Sequence, residues 1–168
     1  GLLTRSDVPV RECLGMALQG VVTADQLPAS AMAKSMVGWV QLHGFCANCG
    51  SRSTRSHCGW KRTCPSCDTG HFPRTDPVVI MLVTSGEKCL MGRQKQFPPG
   101  MYSCLAGFVE AAETIEDAVK REILEESGIH CTDVKYYMTQ PWPYPSSLMF
   151  GCSARATSET ITVDLMEL

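Results

Sequence analysis

Residues 107–129 read GFVEAAETIEDAVKREILEESGI, and in them Glu122, Glu125 and Glu126 stand directly behind Arg121. The stretch is punctuated as a helix. Thr114 is placed to cap its N-terminus with Asp117 three residues on, and Gly128 sits where a left-handed residue stops a helix. Ile115, Ala118, Val119 and Ile123 fall on one arc at about 100° per residue, an apolar stripe suited to docking on a sheet. Glu122 and Glu126 are one turn apart with Glu125 beside them. Three carboxylates therefore crowd one face near the C-terminal end, where the macrodipole disfavours further negative charge. A solvated acidic face is one reading of such a run. The other is a site for a hard cation such as Mg²⁺ or Mn²⁺, which takes oxygen ligands, usually together with substrate phosphates.

Outward from this helix the pattern is that of strands. VVIMLV (78–83) is a short, continuous apolar run rich in β-branched residues, the mark of a buried strand. KCLMGRQ (88–94) follows a TSGE turn, which predicts a hairpin, and YSCLAGFVE, VKYYMTQ and LMFGCSARA are further strand candidates. FPRTDP (72–77) reads as a rigid, proline-bounded linker. Residues 29–43, ASAMAKSMVGWVQLH, have helical spacing with Met32, Met36, Trp39 and Val40 on one side. Residues 1 to 28 look like the tail of an earlier unit, and ITVDLMEL (161–168) reads as a strand running into a helix start, so both ends are expected to be cut. The mixture of hairpin-linked strands and one strong helix predicts an α/β or α+β sandwich.

The 168 residues suffice for one domain with a small appendage. A formal charge of -2 and a pI near 6.1 argue against non-specific nucleic-acid binding through a basic field. No apolar run approaches a membrane span, so no membrane partner is expected. Ten cysteines would suit a secreted disulfide scaffold, but six are scattered, several inside apolar runs, as small hydrophobes are in a reducing compartment. The expected location is intracellular.

The other four form CANC (46–49) and CPSC (64–67), separated by fourteen residues. Each Cys-x-x-Cys knuckle points two thiolates at one ion, and two knuckles complete a tetrahedral all-thiolate site for zinc. Cys46, Cys49, Cys64 and Cys67 are the expected ligands. His57 and Cys58 lie between the knuckles at a spacing that fits neither. A closed four-thiolate site has no open position, so one Zn²⁺ per chain is expected in a structural role.

Gly107, Glu113, Arg121, Glu122, Ile123, Glu125, Glu126, Gly128 and Ile129 together resemble the Nudix box, G-x5-E-x7-R-E-U-x-E-E-x-G-U, at every defined position. Ala112 stands where relatives usually have glycine before the first motif glutamate; if that loop requires a positive φ, alanine costs roughly 1 kcal/mol or more. QPWPYPSSLM (140–149) is similar to the S-Q-P-W-P-F-P-x-S-L-M array of the NADH pyrophosphatases, with Thr139 and Tyr144 in the serine and phenylalanine positions. A zinc ribbon just upstream is the second mark of that subfamily, and GRQKQFPPGMYSCLAGFVE looks most like its animal, peroxisome-associated branch. The resemblance covers about residues 38–168.

It implies a Nudix α/β/α sandwich (74–168) behind a zinc ribbon (44–73), with 1–43 the remnant of an N-terminal domain and a linking helix. It further implies metal-dependent hydrolysis of the pyrophosphate of NADH, NAD⁺ or NADP(H) to nicotinamide mononucleotide and AMP. The alternatives are removal of the NAD cap from RNA by the same site, a catalytically silent dinucleotide-binding module, and a zinc-ribbon interaction protein with a Nudix scaffold. By the same resemblance, Glu122, Glu125 and Glu126 hold two or three Mg²⁺ or Mn²⁺ ions, with Glu167 and the Ala106 carbonyl as further ligands. Glu126 is also the base for the attacking water, and Arg121 orients a glutamate by an ion pair. Phe108 stacks on a base or nicotinamide ring, while Gln140, Trp142, Ser147 and Met149 line the dinucleotide pocket, with Phe72 as a further candidate. The prolines of the array are expected to hold Trp142 on an extended segment. A homodimer is implied, with the exposed Met/Trp side of the 29–43 helix contributing, in the cytoplasm or peroxisome.

Overall fold

The computed structural model of the chain describes Gly15 and residues 19–163, which fall into two compact units. The first takes in the residues up to Thr75 together with Trp142–Ser146. Its helix α1, Leu27–Leu42, starts with Pro28 in the first turn, where a missing N–H costs nothing. The Met/Trp side expected to be exposed is corrected here: Met32 is exposed, but Trp39 is only 3% accessible. An indole of that size is too apolar to leave in water when His43 can stack on it, with ring centroids 6.4 Å apart. A three-stranded antiparallel sheet follows, β1 Thr54–Ser56, β2 Lys61–Thr63 and β3 Gly70–His71, in that order. This sheet is too small to bury a core of its own, so its stability must come from elsewhere.

The second unit is a five-stranded mixed sheet with one helix packed on it. Strand β4, Asp76–Ser85, is its centre, and alternate residues Val79, Met81 and Val83 are almost fully buried. One edge of β4 is shared by two antiparallel partners. β5, Lys88–Leu90, pairs with Val83–Ser85, and β6, Leu105–Phe108, pairs with Val78–Met81. The other edge pairs in parallel with β8, Ser147–Ala156, from Asp76↔Ser147 to Thr84↔Arg155, and β7, Cys131–Trp142, lies beyond β8. The helix α2, Ile115–Ser127, presents Ala118, Val119 and Ile123 to the core formed by Val79, Met81, Val83, Leu105 and Ala154. The mixed α/β class follows from these layers. Among the described residues, no helix is long and apolar enough to cross a membrane, and all nine cysteines are free.

Two expectations change. Ile161–Val163 is not a strand; the Thr162 N–H is taken by the Ser127 carbonyl at 2.8 Å, an unpaired group at the end of α2, instead of by a sheet neighbour. Residues 164–168, with Glu167, lie outside the described residues, as does most of the 1–28 segment. The proline array is not extended throughout either. Pro141 and Trp142 are the last residues of β7, whereas Pro143–Ser146 form a tight turn, because β7 and β8 are sheet neighbours and must be joined over a few residues.

Candidate active site and zinc centre

The helix α2 begins and ends as its sequence predicts. Thr114 Oγ1 accepts from the Asp117 N–H at 3.1 Å and donates to Asp117 Oδ2 at 2.8 Å. Gly128 closes the helix at φ 69°. Its first turn is preceded by a β-turn in which the Glu113 N–H reaches the Glu110 carbonyl at 3.2 Å, and Ala112 takes the third position at φ 66°. That is the left-handed conformation which glycine adopts at no steric cost and alanine does not. Glu113 Oε2 accepts from the Glu110 N–H at 2.9 Å, so the turn delivers its carboxylate toward the helix.

Arg121 is the hub of the site. Its Nε and Nη2 donate to the two oxygens of Glu113 at 2.8 and 2.9 Å; its Nη1 donates to Glu122 Oε1 and Glu125 Oε2, both at 2.9 Å. Nη2 also reaches the Phe108 carbonyl at 2.8 Å, which ties the helix to β6. Arg121 holds the Glu113 carboxyl below the usual carboxylate range, and the three carboxylates raise the guanidinium in turn. Bidentate guanidinium–carboxylate pairing of this kind fixes orientation as well as charge.

Glu122 and Glu126 are buried, 8% and 5% accessible, on the same face of α2; Glu125 points outward with 57% of its side chain accessible. The Glu122 carboxylate lies so close over β6 that a Cβ on Gly107 would stand 1.8 Å from its Cδ. Glycine is required there by the close approach, at an ordinary negative φ. Glu122 and Glu126 thus share a buried face while Glu125 stands exposed, and the oxygens of the three do not converge. Among the described residues, the cysteines alone bring three or more ligand atoms within 4.8 Å of one another. Arg121 stands between Glu122 and Glu125 instead.

On the sheet, Val78 pairs with Phe108 on one side and Met149 on the other, so these three form a row across β6, β4 and β8. The row lies on the face opposite Val79 and Gly107, away from α2, and Phe108 is 59% accessible. Ala106 is exposed on the same strand, Ser147 pairs with Asp76 at the start of β8, and Gln140 is exposed on β7. In the first unit, Trp142 meets Tyr144 edge to face at 5.2 Å. Lys34 of α1 donates to the Pro143 carbonyl and lies 4.7 Å over the Tyr144 ring. Phe72 is 66% accessible, with Lys61 Nζ 5.8 Å above it. Lys34 carried no signal in the sequence, because its partner lies more than a hundred residues away.

The four cysteines of the first unit come together as predicted, with Cys46–Cys67 and Cys49–Cys64 sulfurs 3.6 and 3.5 Å apart. A tetrahedral zinc with Zn–S bonds of about 2.3 Å needs sulfur separations of about 3.8 Å, so the donor set fits the ion. Cys58 is exposed and outside the cluster. Burial pushes the Cys64 thiol up to about 11, whereas the hydroxyl and N–H of Thr69 hold Cys67 down to about 5; a divalent ion favours the thiolate at both. The His71 Nε2 lies 3.2 Å from Cys46 Sγ and Asn48 Nδ2 lies 3.7 Å from Cys67 Sγ. Both are polar partners of the ligands that spacing alone did not reveal.

A helix carrying this motif on a mixed sheet, behind a four-cysteine ribbon, defines a class, and comparison with known proteins agrees. The NUDIX domain model matches residues 73–164, and the chain belongs to that family. Within it, residues 41–72 match the NADH pyrophosphatase zinc ribbon domain. The chain is 51% identical over 148 residues to the NAD-capped RNA hydrolase NUDT12 of Homo sapiens, covering 82% of this chain and 32% of that protein. It is 41% identical over 139 residues to the mitochondrial NAD(P)H pyrophosphatase NUDT13 of Homo sapiens, covering 81% and 40%. The chain therefore spans about a third to two fifths of the length of these relatives. A crystal structure of a NUDIX hydrolase from Nitrosomonas europaea superposes with a TM-score of 0.62 at 23% identity, over 74% of this chain and 73% of that one, and so shares the fold.

Proposed function

We propose that the chain hydrolyses the pyrophosphate of NADH, NAD⁺ or NADP(H) to nicotinamide mononucleotide and AMP. The observation that supports this most is the carboxylate face of α2, where Glu122 and Glu126 are buried together beside Glu125. Arg121 shares one positive charge among Glu113, Glu122 and Glu125, so the cluster keeps an excess of negative charge, and oxygen donors of this kind suit Mg²⁺ or Mn²⁺. Glu122, Glu125 and Glu126 would hold two or three such ions, with the Ala106 carbonyl and Glu167 as further ligands. When bound, the ions neutralise phosphoanhydride charge and acidify water.

The rest is the work of the chain's own residues. Glu126 takes the proton of the attacking water. Arg121 is a positioning residue: paired with Glu113 and bonded to β6, it sets the angle at which Glu122 and Glu125 present their oxygens. Phe108 offers an exposed ring face to the base or nicotinamide, and Met149 extends that apolar row. Gln140 and Ser147 supply further contacts on this unit, and the resemblance adds the rings of Trp142 and Phe72 as candidates. The names of the relatives support the substrate class, and one of them favours a second reading on the same chemistry, removal of the NAD cap from RNA. We place the protein inside the cell, cytoplasmic or peroxisomal, as a homodimer whose contact does not use the Trp39 side chain. Sedimentation showing only monomer at micromolar concentration would count against the dimer.

Incubation with NADH and Mn²⁺, followed by product analysis, tests the function. Metal-dependent release of AMP and the reduced mononucleotide is expected. Binding without turnover would leave a silent Nudix-like module, and no dinucleotide binding at all would leave the ribbon as the functional part.

A further inference from the structure

Residues 44–73 carry four Lys/Arg against one acidic residue, in a chain with 15 Lys+Arg and 17 Asp+Glu overall. A zinc ion on four thiolates subtracts two charges from that excess, so the position of the cations matters more than their number. They stand with the aromatics. Phe45 is 66% accessible and bridges in the backbone to Arg52, whose guanidinium lies 6.0 Å from its ring centroid. Lys61 lies 5.8 Å over the equally exposed Phe72, and Trp60, next to Lys61 in the chain, is 51% accessible.

Phe45, Arg52, Thr54 and Arg55 border a groove of about 480 Å³. A buried arginine, Arg62, also lines it, fixed by Nε and Nη2 bonds of 2.8 Å to the Ser53 hydroxyl and carbonyl. The positive charge there is immobilised and does not collapse onto a carboxylate: among the described residues no ion pair joins Arg52, Arg55 or Arg62 to an acid. Phe45 leaves its ring mostly in water at the groove that Arg52 and Arg55 also line, so an apolar ring and two cations share one surface.

Resting on the NAD-cap reading of the active site, we propose that this face of the zinc ribbon binds the single-stranded RNA that follows the cap. Bases stack on Phe45 and its paired Arg52, and Arg55 takes backbone phosphate. Stacking platforms interleaved with cations bind single strands with little sequence preference, because every base has a π-face and every nucleotide a phosphate. An acidic protein partner would use the cations but leave the exposed rings unexplained. The low overall charge accounts for the absence of a general basic field while leaving a local one on the ribbon.

The test uses the zinc-loaded chain, a fluorescent 12-nucleotide RNA without a cap, the same RNA with an NAD cap, and free NADH. Phe45→Ala and Arg52→Ala/Arg55→Ala are each expected to weaken binding of the uncapped RNA at least about fivefold. They should raise KM for the capped RNA similarly and leave NADH turnover within about twofold, since neither group belongs to the hydrolytic site. Phe45→Tyr, which keeps a stacking face, should restore binding, and unchanged zinc content excludes loss of the ribbon. The double arginine variant should also flatten the salt dependence, by about 0.7 in slope for each phosphate no longer neutralised. Variants that bind uncapped RNA as the wild type does, or a wild type that does not bind it, would overturn the proposal. If capped RNA is cleaved equally by all variants, the cap reading stands and this one falls. If RNA binds at the ribbon but its cap is never cleaved, the reverse holds.

Discussion

Arg121 grips both oxygens of Glu113 in parallel, Nε–Oε1 at 2.8 Å and Nη2–Oε2 at 2.9 Å, from eight residues along the chain. Glu113→Gln removes the charge and one acceptor, and should cost about 1–3 kcal/mol near neutral pH. Because Arg121 holds this carboxyl below the usual carboxylate range, its contribution is present above that range and is lost as the pH falls through the depressed value. Thermal unfolding of wild type and Glu113→Gln should therefore differ most at pH 6 to 7 and converge in acid. A constant difference down to pH 3 would disprove the ion pair as its source.

Ala112 at φ 66° holds a conformation that disfavours a Cβ. Ala112→Gly relieves about 1–2 kcal/mol of strain and returns part of it as unfolded-chain entropy, for a net gain of up to about 1 kcal/mol. A melting temperature raised by about 2–4 °C is expected. An unchanged or lower value would mean the turn is already relaxed.

Glu126→Gln should lower NADH turnover by at least about 100-fold with saturating Mg²⁺, since losing a general base alone costs that much. Activity within threefold of wild type would return the glutamate face to plain solvated surface. Gly107→Ala is the companion variant. Its methyl must displace a Glu122 carboxylate that Arg121 holds at 2.9 Å, so turnover should fall about tenfold or more with the fold retained.

Cys46 and Cys64 are 3% and 0% accessible, deeper than their two partners. Serine at either should release about one zinc per chain and lower thermal stability, because a structural zinc supplies folding energy to a sheet with almost no core. Metal analysis of the wild type that finds no zinc would refute this.

Much of the site could be read locally. The Thr114 cap, the Gly128 stop and the buried stripe of α2 depend on residues within a few positions of one another, and the strain at Ala112 was visible as one departure from a motif. Pairings between distant segments left no such trace. Nothing in VVIMLV says that it runs parallel to LMFGCSARA, that Glu122 rests on Gly107, or that Lys34 meets Tyr144. The end of α2 misled for the same reason. Ile161–Val163 has strand-like composition, yet its Thr162 N–H goes to a helix carbonyl, a choice made by tertiary contact over propensity.

The parallel ladder between β4 and β8 bears on how the chain comes to fold. Asp76 pairs with Ser147 and Thr84 with Arg155, so the partners are about seventy residues apart, and a long loop must close before any of these bonds forms. The Cys46–Cys67 knuckles lie within a short span, and their four sulfurs already stand together. During synthesis the residues of the ribbon have all emerged before the central strand of the second unit can meet β8. Until residue 156 has emerged, β4 is paired by β5 and β6 along one edge and open along the other, and an open apolar edge leaves the half-made chain prone to aggregation.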